Sequence, residues 1–177
     1  LSSDVLRAVQ EGAADIGICN ASAVGQGADA LQLQPYRQDQ LALIVPAAHA
    51  MSAQAAINFA DTLDFDHVGL HANSSIALAM HQAAAQAGRA IRLRIRVTGL
   101  DAMCRMIDNG LGVGVMPARA FALMRGTSPL VAVPLADAWA RRTLGLVARD
   151  FATLPVTARA LVEHLRLAPT PAAPAQA

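Results

Sequence analysis

The sequence predicts an α/β fold, because strand-like and helix-like segments alternate along almost the whole chain. The strand-like segments are short apolar runs such as 41–45 and 113–116, each followed directly by a proline. The helix-like segments repeat apolar residues at helical spacing and end at a glycine, as at Gly88 and Gly110. Since a helix separates most consecutive strands, we expect the strands to pair largely in parallel.

The composition excludes several classes of protein. The chain has 177 residues, 54% of them hydrophobic, which is enough for one sizeable core or for two small lobes that share a cleft. A formal net charge of +1 gives no excess that points to nucleic acid or a membrane surface. No run reaches the ~18 apolar residues of a membrane span. All 14 basic residues are arginine, which excludes a Schiff-base or phosphate-loop lysine.

Glycine, proline and capping residues delimit the elements of the first part of the chain. Ser3 is expected to cap a first helix that Gly12 ends. Pro35 is expected to break an extended stretch that begins at Leu31. The predicted elements are the helix between Ser3 and Gly12, a buried strand at 16–19, a loop at 20–30, a buried strand at 41–45, a short helix at about 58–63 and a strand at 67–70.

The middle of the chain contains its clearest period-2 alternation. Ser74 or Ser75 opens a helix that runs to about Ala87. From 91 to 97, apolar residues then alternate with three arginines. This pattern predicts a strand with one solvated face, or an edge strand protected by its charges, rather than a phosphate-binding stripe. The segment Thr98–Asp101 has the spacing of a helix capping box.

The last third continues the alternation of helices and strands. Gly110 ends the helix that follows Thr98, and Pro155 stands at the first position of the closing helix. The predicted elements are a strand at 113–116, a helix at about 118–124, strands at 130–133 and 143–148, a helix to about Leu167 and a disordered tail at 169–177.

Residues Asn109–Pro117 combine glycines at 110 and 112 with a closing Met-Pro. This pattern resembles the signature G-x-G-[IV]-x-x-[LM]-P of the effector domain of LysR-type transcription regulators, and it is the strongest of several such motifs. In the segment 31–49, Tyr36 stands where the family has leucine, and Ala50 and Met51 replace its Pro-Leu. The order and spacing of the motifs carry the resemblance, which covers about residues 1–167 and includes the segments 6–18, 31–49, 57–63, 109–117, 139–149 and 155–165.

The resemblance implies a two-lobe fold like that of type 2 periplasmic binding proteins, with ligand bound in the cleft. Strands 41–45 and 143–148 should cross between the lobes. The family's winged helix-turn-helix and the start of its effector domain should lie ahead of residue 1, so the first lobe is expected to be incomplete. The expected division is 1–45 with 144–168 for the first lobe and 46–143 for the second.

Polar residues that follow predicted strands are the candidate effector-binding residues. Ligands of α/β sheets bind beyond the carboxyl ends of strands, where helix N-termini also point. Hydroxyl and amide groups there offer neutral donors and acceptors, and a glycine lets the backbone approach a ligand closely. The resemblance places matching positions in or beside the family's cleft, although helix capping alone would also explain the serine and threonine residues. The candidates are Asn20, Ser74, Ser75, Thr98 and Gly99.

No metal, cofactor or catalytic residue is predicted. His67, His71 and His81 lack the spacing and the acidic or thiol neighbours of a metal site. Cys19 and Cys104 are expected to be buried hydrophobes.

The leading hypothesis is a cytoplasmic sensing domain that binds a small anionic or polar metabolite. It would work in a homodimer or dimer of dimers and reach DNA only through a domain outside this chain, without contact to a membrane. A solute-binding protein of a transporter is the alternative, and an enzyme with this fold ranks last because no base accompanies the hydroxyl residues.

Overall fold

The computed structural model describes residues 1–24, 30–124 and 126–167. These residues form an α/β structure that divides into two compact units, one of residues 1–38 with the chain from 142 on, the other of residues 39–141. The boundaries between the two lobes expected from the sequence lie after residues 45 and 143. That division into lobes stays a prediction. The predicted tail at 169–177 lies outside the described residues.

Helices and strands alternate in the predicted order. The helices are α1 (Ser2–Gln10), α2 (Ser75–Gln86), α3 (Leu100–Asp108), α4 (Ala118–Met124) and α5 (Val156–Leu167). The strands are β1 (Ile16–Asn20), β2 (Gln32–Pro46), β3 (Asp66–Gly69), β4 (Arg92–Arg96), β5 (Gly114–Pro117), β6 (Leu130–Pro134) and β7 (Arg141–Ala148), and 3-10 turns span Ala21–Ala23, Phe59–Thr62 and Ala138–Ala140.

The first unit packs two helices against the antiparallel pair of β1 and β7. Because successive side chains of a strand point to opposite faces, Val147 packs with α1 whereas Leu146 and Ala148 pack with α5. The predicted strand at 16–19 is present, but its expected burial holds for Cys19 alone, since Ile16 and Gly17 are half-buried and Ile18 is 44% exposed.

The second unit is built around β2, which lies between β5 and β6 and runs antiparallel to both. Strands β3 and β4 pair in parallel, and a bridge between His67 and Val113 joins β3 to the segment ahead of β5. Alternate residues of β2 build two cores. One contains Leu41, Leu43 and Val45 with residues of α2, and the other contains Ala42 and Ile44 with residues of α3.

The expectation of largely parallel pairing is wrong. Among the described strand registers, the pairs β1–β7, β2–β5 and β2–β6 are antiparallel, and β3–β4 is parallel. The reason is β2, a 15-residue strand that enters the second unit against the direction of both of its neighbours. Among the described strands, β3 and β4, which α2 connects, form the parallel ladder, and isolated parallel bridges join Ile57 to Leu135 and His67 to Val113. The ends of β3 and β4 form the candidate site.

Three local predictions also differ from the structure. Strand β2 continues through Pro35, because the fixed φ of proline suits extended backbone and only one ladder donor is lost. Helix α1 begins at Ser2, so Ser3 lies inside it rather than capping it. The predicted helix at 58–63 is the shorter 3-10 turn Phe59–Thr62.

Candidate functional site

The parallel strands β3 and β4 end side by side, and the two helices that follow them begin at this same edge. Gly69 pairs with Arg96 at the strand ends, and the N–H of Val97 donates to the carbonyl oxygen of Gly69 at 2.9 Å. Because α2 follows β3 and α3 follows β4, the predicted site residues of the second unit all lie between the end of a strand and the first residue of the helix that follows it, at one edge of the sheet. These residues are Ser74, Ser75, Thr98 and Gly99.

Ser74 is the N-cap of α2, and its hydroxyl oxygen accepts the N–H of Ala77 at 3.1 Å. Ser75 is the first residue of the helix, half-buried, and its hydroxyl makes no hydrogen bond within the described residues. The two serines therefore differ in role, because the Ser74 hydroxyl already caps the helix whereas the Ser75 hydroxyl is available to a ligand.

This difference predicts unequal effects of two alanine substitutions. Ser74→Ala is expected to lower the free energy of unfolding by about 1 kcal/mol, because the N–H of Ala77 loses its acceptor. Ser75→Ala is the matched control and should change it by less than about 0.5 kcal/mol. Urea denaturation of the two variants measures both values, and equal losses would show that Ser74 is not the cap.

Thr98 does not cap α3, so the predicted capping box is wrong. The N-cap is Gly99, whose backbone is extended with φ −134°, and no side chain caps the helix. A Cβ atom at Gly99 would lie 2.6 Å from Oδ1 of Asp101, so the carboxylate of Asp101 sits close to the glycine backbone. Thr98 is exposed, and its hydroxyl has no partner among the described residues.

The two helix starts differ in charge. Asp101 lies in the first turn of α3, whereas the first turn of α2 carries no acidic residue. A carboxylate occupies the favourable electrostatic position at a helix N-terminus and would repel an anionic ligand there. An anion at this edge of the sheet is therefore better placed near α2 than near α3.

A β-bulge in β4 breaks the alternation that the sequence predicts. His67 pairs with Leu93, but the next residue of β3, Val68, pairs with Ile95, so Arg94 is the extra residue. The phase of the strand reverses after the bulge. Arg96, opposite Gly69, consequently shares the α2-facing side of the sheet with Leu93 instead of a common solvated face with the other arginines.

The bulge brings Arg96 to a cavity of the second unit. The cavity lies between α2 and the strands β3 and β4, and apart from Ser74, His81 and Arg96 its lining is apolar. Its lining residues are Val68, Gly69, Leu70, Ser74, Ile76, Ala77, Met80, His81, Ile91, Leu93, Arg96, Met103 and Val115.

Arg96 also differs from the two preceding arginines of β4 in its partners. Arg92 and Arg94 form ion pairs with Asp66 at 3.1 Å and 3.7 Å, and Arg92 also donates to the carbonyl oxygen of Asp64. Arg96 has no hydrogen bond or ion pair within the described part of the chain. The sequence does not predict this position of Arg96, because a bulge leaves no mark in a regular alternation of apolar and basic residues.

Asn20 belongs to the first unit and has local partners. Its side-chain oxygen accepts the N–H of Ser22 at 3.3 Å and caps a 3-10 turn, and its backbone N–H donates to Oγ of Ser2 at 3.4 Å. These contacts give Asn20 a structural role. Its part in an effector site stays a prediction.

The histidines and cysteines do not form a reactive centre. His67 is fully buried, with Nδ1 donating to the carbonyl oxygen of Phe65 at 3.0 Å and Nε2 lying 3.1 Å from the hydroxyl of Thr62. Burial raises the pKa of both thiols, Cys19 and Cys104, which disfavours the reactive thiolate. Within the described ranges no three His, Cys, Asp or Glu side chains gather as metal ligands.

Comparison with known proteins identifies the family that this chain matches. The family model of the LysR substrate binding domain matches residues 1–168. Two curated relatives, both named "Probable RuBisCO transcriptional regulator", come from Trichormus variabilis (25% identical) and a Nostoc species (24% identical). Each aligns over 142 residues, or 78% of this chain and 42% of the relative. The chain thus spans about two fifths of the length of these relatives.

Solved structures share the fold at low sequence identity. The regulatory domain of Synechocystis CcmR in complex with 2-PG has a TM-score of 0.80 and 16% identity, covering 93% of this chain and 78% of that one. The effector binding domain of QuiR in complex with shikimate has a TM-score of 0.76 and 14% identity, covering 93% and 76%. Among the helices that the structure describes, none is both long and apolar enough to cross a membrane.

Proposed function

The chain belongs to the LysR substrate-binding-domain family, and on that premise we propose that it is the effector-sensing part of a LysR-type transcription regulator. In this proposal a small anionic or polar metabolite binds where β3 and β4 end and biases the regulator between two states. Such a ligand acts only if it binds the two states with different affinity. The names of the curated relatives and the regulatory domains solved with 2-PG and with shikimate support this class of function.

The observation that carries the proposal is the set of uncommitted polar groups at one edge of the sheet. The hydroxyls of Ser75 and Thr98 make no hydrogen bond within the described residues, Gly99 directly follows Thr98, and no acidic residue occupies the first turn of α2. Ser74 borders the same edge but is already engaged as a cap. We therefore rank Thr98 and Ser75 first as effector contacts, then Gly99 and Ser74, with Asn20 as the candidate from the first unit.

The partners follow from the same family. We propose that the regulator is cytoplasmic and acts as a homodimer or dimer of dimers, and that it contacts DNA through a domain outside this chain. No catalytic step and no cofactor are proposed, because the free hydroxyls at the site have no histidine, lysine or carboxylate hydrogen-bonded to them within the described residues. A solute-binding protein of a transporter, the other reading of this fold, receives no support from the relatives' names.

Thr98→Val in the full-length regulator tests the proposal. Valine keeps the shape of threonine and removes its hydroxyl, so we expect about tenfold weaker effector response with unchanged DNA binding in the absence of effector. A panel of organic acids is first screened for the one that most raises the melting temperature of the unaltered regulator. The readout is the change in operator affinity that this acid causes. Thr157→Val, an exposed threonine in α5, is the matched control. An unchanged response in Thr98→Val would remove Thr98 from the site.

A further inference from the structure

A buried chain of three short contacts in the second unit links two backbone carbonyl groups through a threonine and a histidine. The side chains of Thr62 and His67 are both fully buried. The Thr62 hydroxyl lies 2.7 Å from the carbonyl oxygen of Phe59 and 3.1 Å from Nε2 of His67, and Nδ1 of His67 lies 3.0 Å from the carbonyl oxygen of Phe65. We infer that this chain of contacts makes His67 a proton-binding site inside the folded protein, so that the proton is a ligand of the second unit in its own right.

The number of hydrogens decides which form of the histidine fits this chain of contacts. Each of the three contacts needs one hydrogen between its two heavy atoms to be a hydrogen bond. A neutral imidazole and a threonine hydroxyl together supply two hydrogens, whereas an imidazolium and the hydroxyl supply three. The neutral histidine therefore leaves one contact without a hydrogen, and the charged histidine completes all three hydrogen bonds.

The distances assign the incomplete contact to Nε2 of His67 and the hydroxyl oxygen of Thr62. The separation of 2.7 Å between the Thr62 hydroxyl and the Phe59 carbonyl oxygen is that of an ordinary O–H···O hydrogen bond, so the hydroxyl donates to Phe59. Nδ1 donates to Phe65, because two acceptors 3.0 Å apart would repel each other. The lone pair of Nε2 therefore faces the Thr62 oxygen, and a proton added at Nε2 is donated to that oxygen.

Burial and the local hydrogen bonds act on His67 in opposite directions. Burial lowers the pKa of His67, whereas the hydrogen bond to Phe65 and the charge of Asp66 raise it. The hydrogen bond to Thr62 also favours the charged ring, since a hydrogen bond from a charged group is roughly twice as strong as one between neutral groups. The folded chain therefore takes up the proton at a pH below the ordinary histidine range, without having to unfold.

No charged side chain among the described residues is hydrogen-bonded to the ring. Arg92 and Arg94 of β4 pair with Asp66, and the carboxylate of Asp137 accepts the N–H of Phe59 at 2.7 Å. Helix α3 packs on the other face of β3. The remaining titratable or charged side chains on the segments packed around the ring are Asp61, Asp64, Arg89, Arg96, His49 and His81. The three contacts of the buried chain are therefore the polar surroundings on which the charge of the ring depends.

Nitrogen-15 NMR of the histidine rings in the full chain tests the inference directly. At neutral pH, His67 should carry its hydrogen on Nδ1, as the hydrogen bond to Phe65 requires, with Nε2 unprotonated. On acidification, Nε2 should become protonated while the amide spectrum remains that of the folded chain. Protonated Nε2 at neutral pH, or a ring that stays neutral until the native amide signals are lost, would overturn the inference.

Thr62→Val removes the acceptor of the added proton and nearly keeps the shape of the side chain. It should weaken proton binding by His67 at least about tenfold, because the imidazolium loses a hydrogen bond that the neutral ring does not make. Thr62→Ser is the matched control, since it keeps the hydroxyl and should titrate as the unaltered chain does. Proton binding that is as tight in Thr62→Val as in Thr62→Ser would contradict the assigned contact.

The pH dependence of stability gives a second readout. Acidification stops destabilising the folded chain once the folded state has also taken up the proton. Thr62→Val should therefore lose more stability than Thr62→Ser between neutral and mildly acidic pH, whereas His67→Ala should lose less than the unaltered chain. Equal losses in the two threonine variants would show that His67 holds no proton in the folded chain. Neither readout involves a metabolite, so the result leaves the proposed function untouched.

Discussion

Replacing Gly112 by alanine is expected to lower the free energy of unfolding by more than about 3 kcal/mol. Gly112 has φ +142°, a conformation that L side chains rarely adopt, and a Cβ atom there would overlap the carbonyl group of Asp66. That carbonyl oxygen accepts the N–H of Val113 at 2.9 Å, in the bridge that joins β3 to the sheet. Alanine would therefore push β3 away from its neighbour.

Gly110→Ala is the matched control for this substitution. Gly110 also has positive φ, +74°, but a Cβ atom there would meet nothing within 4 Å. Only the conformational cost of about 1 kcal/mol is expected. Urea denaturation of both variants measures the difference, and equal losses would mean that backbone strain alone, not contact with Asp66, explains the glycine.

Substitution of His67 is expected to lower the free energy of unfolding by about 3 kcal/mol and to change its pH dependence. His67→Ala opens a cavity beside Phe59, whose ring centroid lies 5.9 Å from that of the imidazole, and leaves the Thr62 hydroxyl without this partner. Burial lowers the pKa of His67 below its ordinary value, an effect that outweighs the opposing hydrogen bond to Phe65 and the charge of Asp66.

The direction of the pKa shift fixes the sign of the pH effect. Because the folded chain holds His67 neutral to lower pH than the unfolded chain does, the stabilisation is complete above the ordinary histidine pKa and is lost as the pH falls through the lowered value. We expect the free energy of unfolding to decrease on acidification below about pH 6.5. His67→Ala should remove part of this decrease.

His49 provides the comparison, since partial burial also lowers its pKa. His49→Gln should reduce the acid sensitivity less than His67→Ala does, because His49 is the less buried of the two. Thermal unfolding across the range from neutral to mildly acidic pH measures all three proteins. A decrease that is the same in His67→Ala as in the unaltered chain would show that other groups cause it.

The elements that sequence predicts best are those with a local physical cause. Gly12, Gly88 and Gly110 have positive φ just beyond the ends of α1, α2 and α3, as the helix stops require. Pro46 ends β2 and Pro117 ends β5, as the interruption of strand pairing by proline predicts. The α/β class and the order of elements are confirmed for these reasons.

The features that sequence does not reveal depend on neighbours distant in the chain. The antiparallel pairing of β2 follows from its place between two strands that come 70 or more residues later, as the pairs Leu41–Pro117 and Ala42–Pro134 show. The bulge at Arg94 arises from pairing with β3, so the apolar and basic alternation gives no sign of it. Sequence therefore predicts that Ser74, Ser75, Thr98 and Gly99 follow the strand ends, where they do lie, but not that Arg96 pairs with Gly69. Their part in an effector site stays a prediction.

Backbone amide chemical shifts test the central claim, that this edge of the sheet binds a small organic acid, most directly. Titrating the isotope-labelled chain with a panel of small organic acids should shift the amides of Ser75, Arg96, Thr98 and Gly99 at the carboxyl ends of β3 and β4. The exposed helix residue Thr157 should remain unshifted. Binding that shifts amides elsewhere and leaves these four unchanged would contradict the account.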